Sequence, residues 1–171
     1  MRLFLQIFTL WLGTSALCRA QAVASALPMD SVSQKVTYRG TIILAGASRA
    51  DLYWRARQWL ARDLGLPSQD LVLDSPERGE LIANYHSVCD QHHFLLTRIP
   101  YDVRRTLTIR VEDGRIKYEM TNFTARNRTH SAQYGALESP DGFRLLSGYV
   151  QRVATAEISS LLRTMQSSSG S

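Results

Sequence analysis

The densest group of chemically capable side chains in this chain is His86-x-x-Cys89-Asp90-x-His92-His93. Imidazole nitrogen and thiolate sulfur are ligands that zinc and copper accept, which makes His86, Cys89 and His92 the candidate metal set. The same residues could serve a small hydrolase, with Cys89 as nucleophile and His86 or His92 taking its proton. The spacing matches no standard metal site, and the segment falls at an expected turn between strands. Alternation along a strand would also send His92 and His93 to opposite faces. The competing reading is a polar loop with one partly buried cysteine. The sequence offers no nucleophile elbow and no Gly-rich phosphate loop, and its carboxylates are scattered.

A second group can bind rather than react. Arg39, Arg104 and Arg110 fall on strand positions that alternate with apolar ones, in company with Thr41, Thr106 and Thr108. If helices cover the apolar side of a sheet, this Arg/Thr side is open, either to solvent alone or to an envelope protein, a peptide or an anionic glycan. Trp54 stands opposite the apolar arc of the first helix, where it is an interface anchor or packs under the loop after Phe123. Glu157 lies at the edge of the last helix's apolar stripe and reaches solvent or pairs with an arginine.

The elements that must position these groups can be read in order. Lys35–Leu44 is rich in β-branched residues and is expected as a strand. Ser48-x-x-Asp51 resembles a capping box. It opens a helix whose Leu52, Tyr53, Ala56, Trp59, Leu60 and Leu64 share one arc, with Gly65 at the C′ position and Pro67 beyond. Asp70–Ser75 and Glu80–Ser87 are short strand candidates, and His92–Ile99 extends the sheet. Val103, Arg105, Leu107, Ile109 and Val111 then alternate with Arg104, Thr106, Thr108 and Arg110. Asp113-Gly114 predicts a two-residue hairpin that sets Val111 against Ile116, Ile109 against Tyr118 and Leu107 against Met120. On the other side Arg110 meets Lys117, a like-charge pair that needs solvent or a shared acid. Ala125–Gly142 is expected to be irregular. A final helix over about Gly148–Gln166 carries Val150, Val153, Ala154, Ile158, Leu161, Leu162 and Met165 as an amphipathic stripe. The expected fold is α+β: an antiparallel sheet of about five strands with two helices on one face, in the order β-α-β-β-β-β-α.

Two segments carry a resemblance. Asp51–Leu60 (DLYWRARQWL) and Tyr101–Phe123 (YDVRRTLTIRVEDGRIKYEMTNF) resemble the bacterial domain of unknown function 4468. The likeness covers most of residues 35–166, and the hairpin is its most specific part. The resemblance implies a fold similar to the TATA-binding protein and an envelope-associated setting behind a secretion or lipoprotein signal. It implies no activity and no site residues, and the His86–His93 segment does not match the family pattern. The DNA binding of the TATA-binding protein does not transfer on fold analogy, because its open face uses apolar wedges where this one is Arg/Thr-rich.

The first twenty residues fit that setting. Arg2, the apolar run Leu3–Leu12 and the small-residue stretch Gly13–Ala20 have the layout of a secretory signal. The run is too short to span a membrane. Cys18 allows a lipid anchor, although Leu17 before it is not the small residue such anchors favour. Removal of residues 1–20 leaves 18 basic and 15 acidic residues, a net charge of +3. That is mild for a nucleic-acid or polybasic membrane binder. Cys89 would then be the one cysteine left, so the domain must be held by packing without a disulfide. Residues 21–34 are expected as a disordered leader, 35–166 as a single domain and 167–171 as a disordered tail. No cofactor is called for. The expected function is an exported, periplasmic or secreted binding module without enzymatic activity, the alternative being an envelope hydrolase or metal-dependent enzyme at His86, Cys89 and His92.

Overall fold

The computed structural model describes residues 27–93, 97–129 and 133–167, with backbone alone for 90–93, 97–98 and 140–144. The expected signal with Cys18, the leader up to residue 26 and the tail from 168 lie outside the described residues.

The hairpin that the sequence marks most strongly is the centre of the sheet. β4 (Thr97–Glu112) and β5 (Arg115–Asn127) pair antiparallel across Asp113-Gly114. Their register is the expected one: Val111 opposes Ile116, Ile109 opposes Tyr118 and Leu107 opposes Met120. Gly114 takes the left-handed conformation that this turn requires. β1 (Tyr38–Ile43) adds to the free side of β5, and β3 (Glu80–His93) with β2 (Leu71–Ser75) to the free side of β4. The order is β1-β5-β4-β3-β2, and a two-residue β6 (Gly135–Ala136) extends the sheet beside β5 beyond the end of β1.

α1 (Arg49–Asp63) starts where expected, the Ser48 hydroxyl accepting from the Asp51 N–H at 3.2 Å. It buries Leu52, Tyr53, Ala56, Trp59 and Leu60 against one face of the sheet. α2 (Pro140–Ser167) covers the same face through Val150, Ala154, Leu161 and Met165. The helices join where Trp59 Nε1 donates to Ser160 Oγ at 3.1 Å. Each large side chain in this layer contributes about 1.5–3 kcal/mol through burial. Trp59→Ala would cost about 3–5 kcal/mol.

Three expectations on boundaries change. Residues 27–34 belong to the fold: Leu27 is buried, Met29 bridges Val36, and the Asp30 carboxylate accepts the Ser33 N–H at 2.8 Å and pairs with Arg39. A buried apolar anchor outweighs the polar composition around it. β3 runs unbroken through His93, so His86–His93 is strand and not a turn. Backbone pairing with β4 carries this polar stretch where side-chain periodicity is weak. The stretch expected to be irregular contains the end of β5, β6 and the first turns of α2. Pro140 suits the first helical position, where its missing N–H has no intrahelical partner to lose.

A bulge sets the face each side chain sees. Arg104 opposes Thr124 but Thr106 opposes Thr121, so β5 fits an extra residue there. Asn122 sits in the left-handed region at φ 54°, which asparagine tolerates better than most residues. The shift in parity turns Phe123 into the core and Thr124 to the open face.

Candidate functional site

Strand alternation places Arg39, Arg104 and Arg110 on the uncovered face of the sheet, as expected, but in two regions. Arg104 and Arg110 are six positions apart on β4, roughly 20 Å at strand rise. Arg39 and Arg110 lie at one end and are both neutralised within the chain. Arg39 pairs with Asp30, and Arg110 Nε meets Glu80 Oε1 at 2.8 Å. The Arg110–Lys117 opposition is relieved by two acids, since Lys117 Nζ meets Glu112 Oε1 at 2.6 Å. The depression between these residues, about 210 Å³, is lined by Arg39, Arg110 and Lys117, each already paired, and by Glu119.

The other end differs. Arg104 has no carboxylate partner among the described residues, and its guanidinium lies 3.9 Å from the centre of the Tyr134 ring. The residue just before β6 supplies this aromatic: Gly135 pairs with Ala125, which brings Tyr134 onto the open face. There its hydroxyl donates to Asp102 Oδ2, which also receives Arg126 at 3.1 Å, while the Arg126 guanidinium lies 4.7 Å from the same ring. Burial alone would push the Asp102 carboxyl up. The Tyr134 hydroxyl, with the positive field of His86 and Arg126, outweighs that and holds it below the usual carboxylate range.

Beside Arg104 is a polar depression of about 320 Å³, lined by Asn84 and His86 of β3, Arg104 and Thr106 of β4, and Asn122 and Thr124 of β5. The Thr106 hydroxyl donates to Asn84 Oδ1 at 2.8 Å, and Lys35 Nζ donates to Asn122 Oδ1 at 2.9 Å. The depression crosses three strands and depends on the bulge that presents Asn122.

The proposed metal set does not converge. His86 is exposed on the open face while Cys89, three positions on, is buried in the core on the other side. An odd spacing on one strand separates two residues by the thickness of the sheet. The side chain of His92 lies outside the described residues. No cluster of three or more metal-type ligands forms among those described. Trp54 is separate again. It is 51% exposed on the helix layer, with the Arg57 guanidinium 5.2 Å from its ring centre and Tyr53 edge-on to it at 5.8 Å.

One polar cluster was visible in the sequence only as an anomaly, an arginine in an apolar row. Arg105 points into the core with 3% of its side chain exposed and pairs with Glu157 of α2. Tyr85 donates to Glu157 Oε2 at 2.6 Å, and Arg105 donates to Ser87 Oγ at 2.9 Å. The Arg105 guanidinium also lies 4.2 Å from the Tyr85 ring centre. Burial pushes the Tyr85 hydroxyl well up, and the charge of Glu157 adds to this. It stays a neutral donor. This cluster fastens α2 to the sheet. Among the described residues, no helix is long and apolar enough to cross a membrane.

The family model described as a domain of unknown function (DUF4468) with TBP-like fold matches residues 38–126. A DUF4468 family protein from Bacteroides ovatus is similar in structure, with a TM-score of 0.63 at 14% identity, over 85% of this chain and 92% of that one. A TBP-like protein from Parabacteroides distasonis gives a TM-score of 0.54 at 12% identity, over 79% of this chain and 96% of that one. At such identity the likeness concerns the fold alone. None of the curated proteins matches the chain.

Proposed function

This chain belongs to the DUF4468 family and has its TBP-like fold, and from that premise we propose that it is a non-enzymatic binding module of the cell envelope whose open sheet face holds its partner at the Arg104 end. The observation that carries the reading is the contrast among three arginines. Arg39 and Arg110 are matched to Asp30 and Glu80, whereas Arg104 is ion-paired to no acid among the described residues and adjoins a depression of hydrogen-bonding side chains. A cation fixed on an aromatic ring is arranged in advance for an anionic or hydrogen-bonding partner. The signal-like layout of residues 1–20 supports an exported, periplasmic or secreted location. The mild net charge fits a protein, peptide or glycan partner better than a nucleic acid.

The test is crosslinked capture of the tagged chain from its own cell envelope, comparing Arg104→Glu with Arg110→Glu. The partner is expected to be lost from the first variant and retained by the second. Equal retention by both would remove the Arg104 end as the binding region.

A further inference from the structure

We infer that the depression beside Arg104 is a subsite for an acidic sugar, a single ring bearing one carboxylate, so that the ligand is a uronate-containing glycan. The inference rests on the binding reading above and gives it a ligand class.

Charge comes first. The site presents one guanidinium without an acid partner among the described residues, held by stacking on Tyr134. A guanidinium edge meets a planar carboxylate in two parallel hydrogen bonds. The ionised Asp102 lies close on the same face, two positions from Arg104 on β4, and its carboxyl stays low. Its field opposes a second negative charge on the ligand. The Lys35 ammonium, held on Asn122 Oδ1, adds a second cation at the far wall, and the planar fork of Arg104 suits a carboxylate there.

Hydroxyl chemistry comes next. Asn84, Thr106, Asn122 and Thr124 line the wall with His86 and Arg104, and Tyr85 and Arg105 border it. Carboxamide and hydroxyl groups both donate and accept, and so do sugar hydroxyls. The wall has no apolar side-chain pocket of the kind peptide side chains use on a sheet surface. Its volume of about 320 Å³ is at the small end for ligand sites, which run from about 300 Å³ upward. The two outer strands contributing to it stand about 10 Å apart, a span that suits one ring. The strained Asn122 and the bulge hold the third strand's contribution in place.

The experiment is an amide-resolved NMR titration of the isotope-labelled chain with methyl β-D-glucuronide, methyl β-D-glucoside, acetate, inorganic phosphate and a short peptide with a free C-terminal carboxylate. The glucuronide is expected to shift the amides of residues 84–86, 104–106 and 122–124, and to bind about tenfold more tightly than the glucoside. Arg104→Gln is expected to erase that difference. Asn84→Ala is expected to weaken both sugars while leaving their ratio intact. Thermal melting checks that each variant is folded. No shift with the glucuronide, equal affinity for the glucoside, or tighter binding of acetate, phosphate or the peptide at these amides would overturn the sugar assignment. If the assignment fails while envelope capture is still lost in Arg104→Glu, the binding reading stands and only the ligand class falls. If capture is also unchanged, both fall.

Discussion

Arg104 and Arg105 are neighbours in sequence and opposites in circumstance. Arg105 points under the sheet into a site where every charge is answered: Glu157 takes its guanidinium, and Tyr85 and Ser87 complete the set. Arg104 points above the sheet and meets an aromatic ring and open groove, ion-paired to no acid among the described residues. The same side chain thus does structural work on one face and is left available on the other. A buried charge with one partner removed is costly, so the lower site tolerates little change. An exposed cation on a ring contributes little to folding, so the upper site can be shaped by what it binds.

The comparison can be broken most severely from below. Glu157→Ala should cost about 3–5 kcal/mol in urea unfolding by leaving Arg105 buried and unpaired. Replacing Arg105 and Glu157 together by methionine should recover most of that loss. A cost under about 1 kcal/mol for Glu157→Ala would show that solvent reaches the pair and that the lower site is no pin. Next comes Asp102, beside the upper site. Its folded carboxyl is held low, so the stability it adds is complete above the ordinary unfolded value of about 3.9 and is lost as pH falls through its lower folded value. Asp102→Asn should destabilise by about 1–3 kcal/mol at neutral pH and flatten the acid limb of a stability–pH curve. An unchanged limb would assign acid sensitivity to other carboxylates. Arg104→Ala should cost at most about 1 kcal/mol in the same unfolding assay while changing binding. A larger loss would make Arg104 a structural residue like its neighbour. Arg110→Ala, which removes one exposed ion pair, should fall within about 0.5 kcal/mol of the parent and leave binding intact.

The hairpin was legible because three local signals agree there: strict alternation, an Asp-Gly turn and a two-residue loop that permits one register. The arginines on the open face follow from the same alternation. The division between paired and unpaired arginines was not legible, because Asp30, Glu80 and Tyr134 reach their partners through three different connections. Arg105 stood in the apolar row of β4, and Glu157 at the edge of the α2 stripe. Two misplaced charges of opposite sign were a signal that they meet. His86 and Cys89 do not come together because nearness in sequence along a strand is not nearness in space: their odd spacing puts a sheet between them. The bulge was half visible, since the apolar series Ile116, Tyr118, Met120 resumes at Phe123 out of phase.

The place of β1 in the sheet has a consequence for assembly. β2 to β5 each pair with the strand next in the chain, whereas β1 is made first and must wait for β5, across α1 and three further strands. Pairings distant in sequence carry the larger closure entropy and form slowly. During vectorial synthesis the leading segment, with Leu27, Val36 and Ile42 unburied, is an unpaired edge open to wrong partners. Pulse-labelling hydrogen exchange on refolding should find β3–β5 amides protected before those of β1. The hook formed by Leu27, Met29 and Asp30 then acts as a latch, securing the last strand to arrive and closing the edge that was exposed longest.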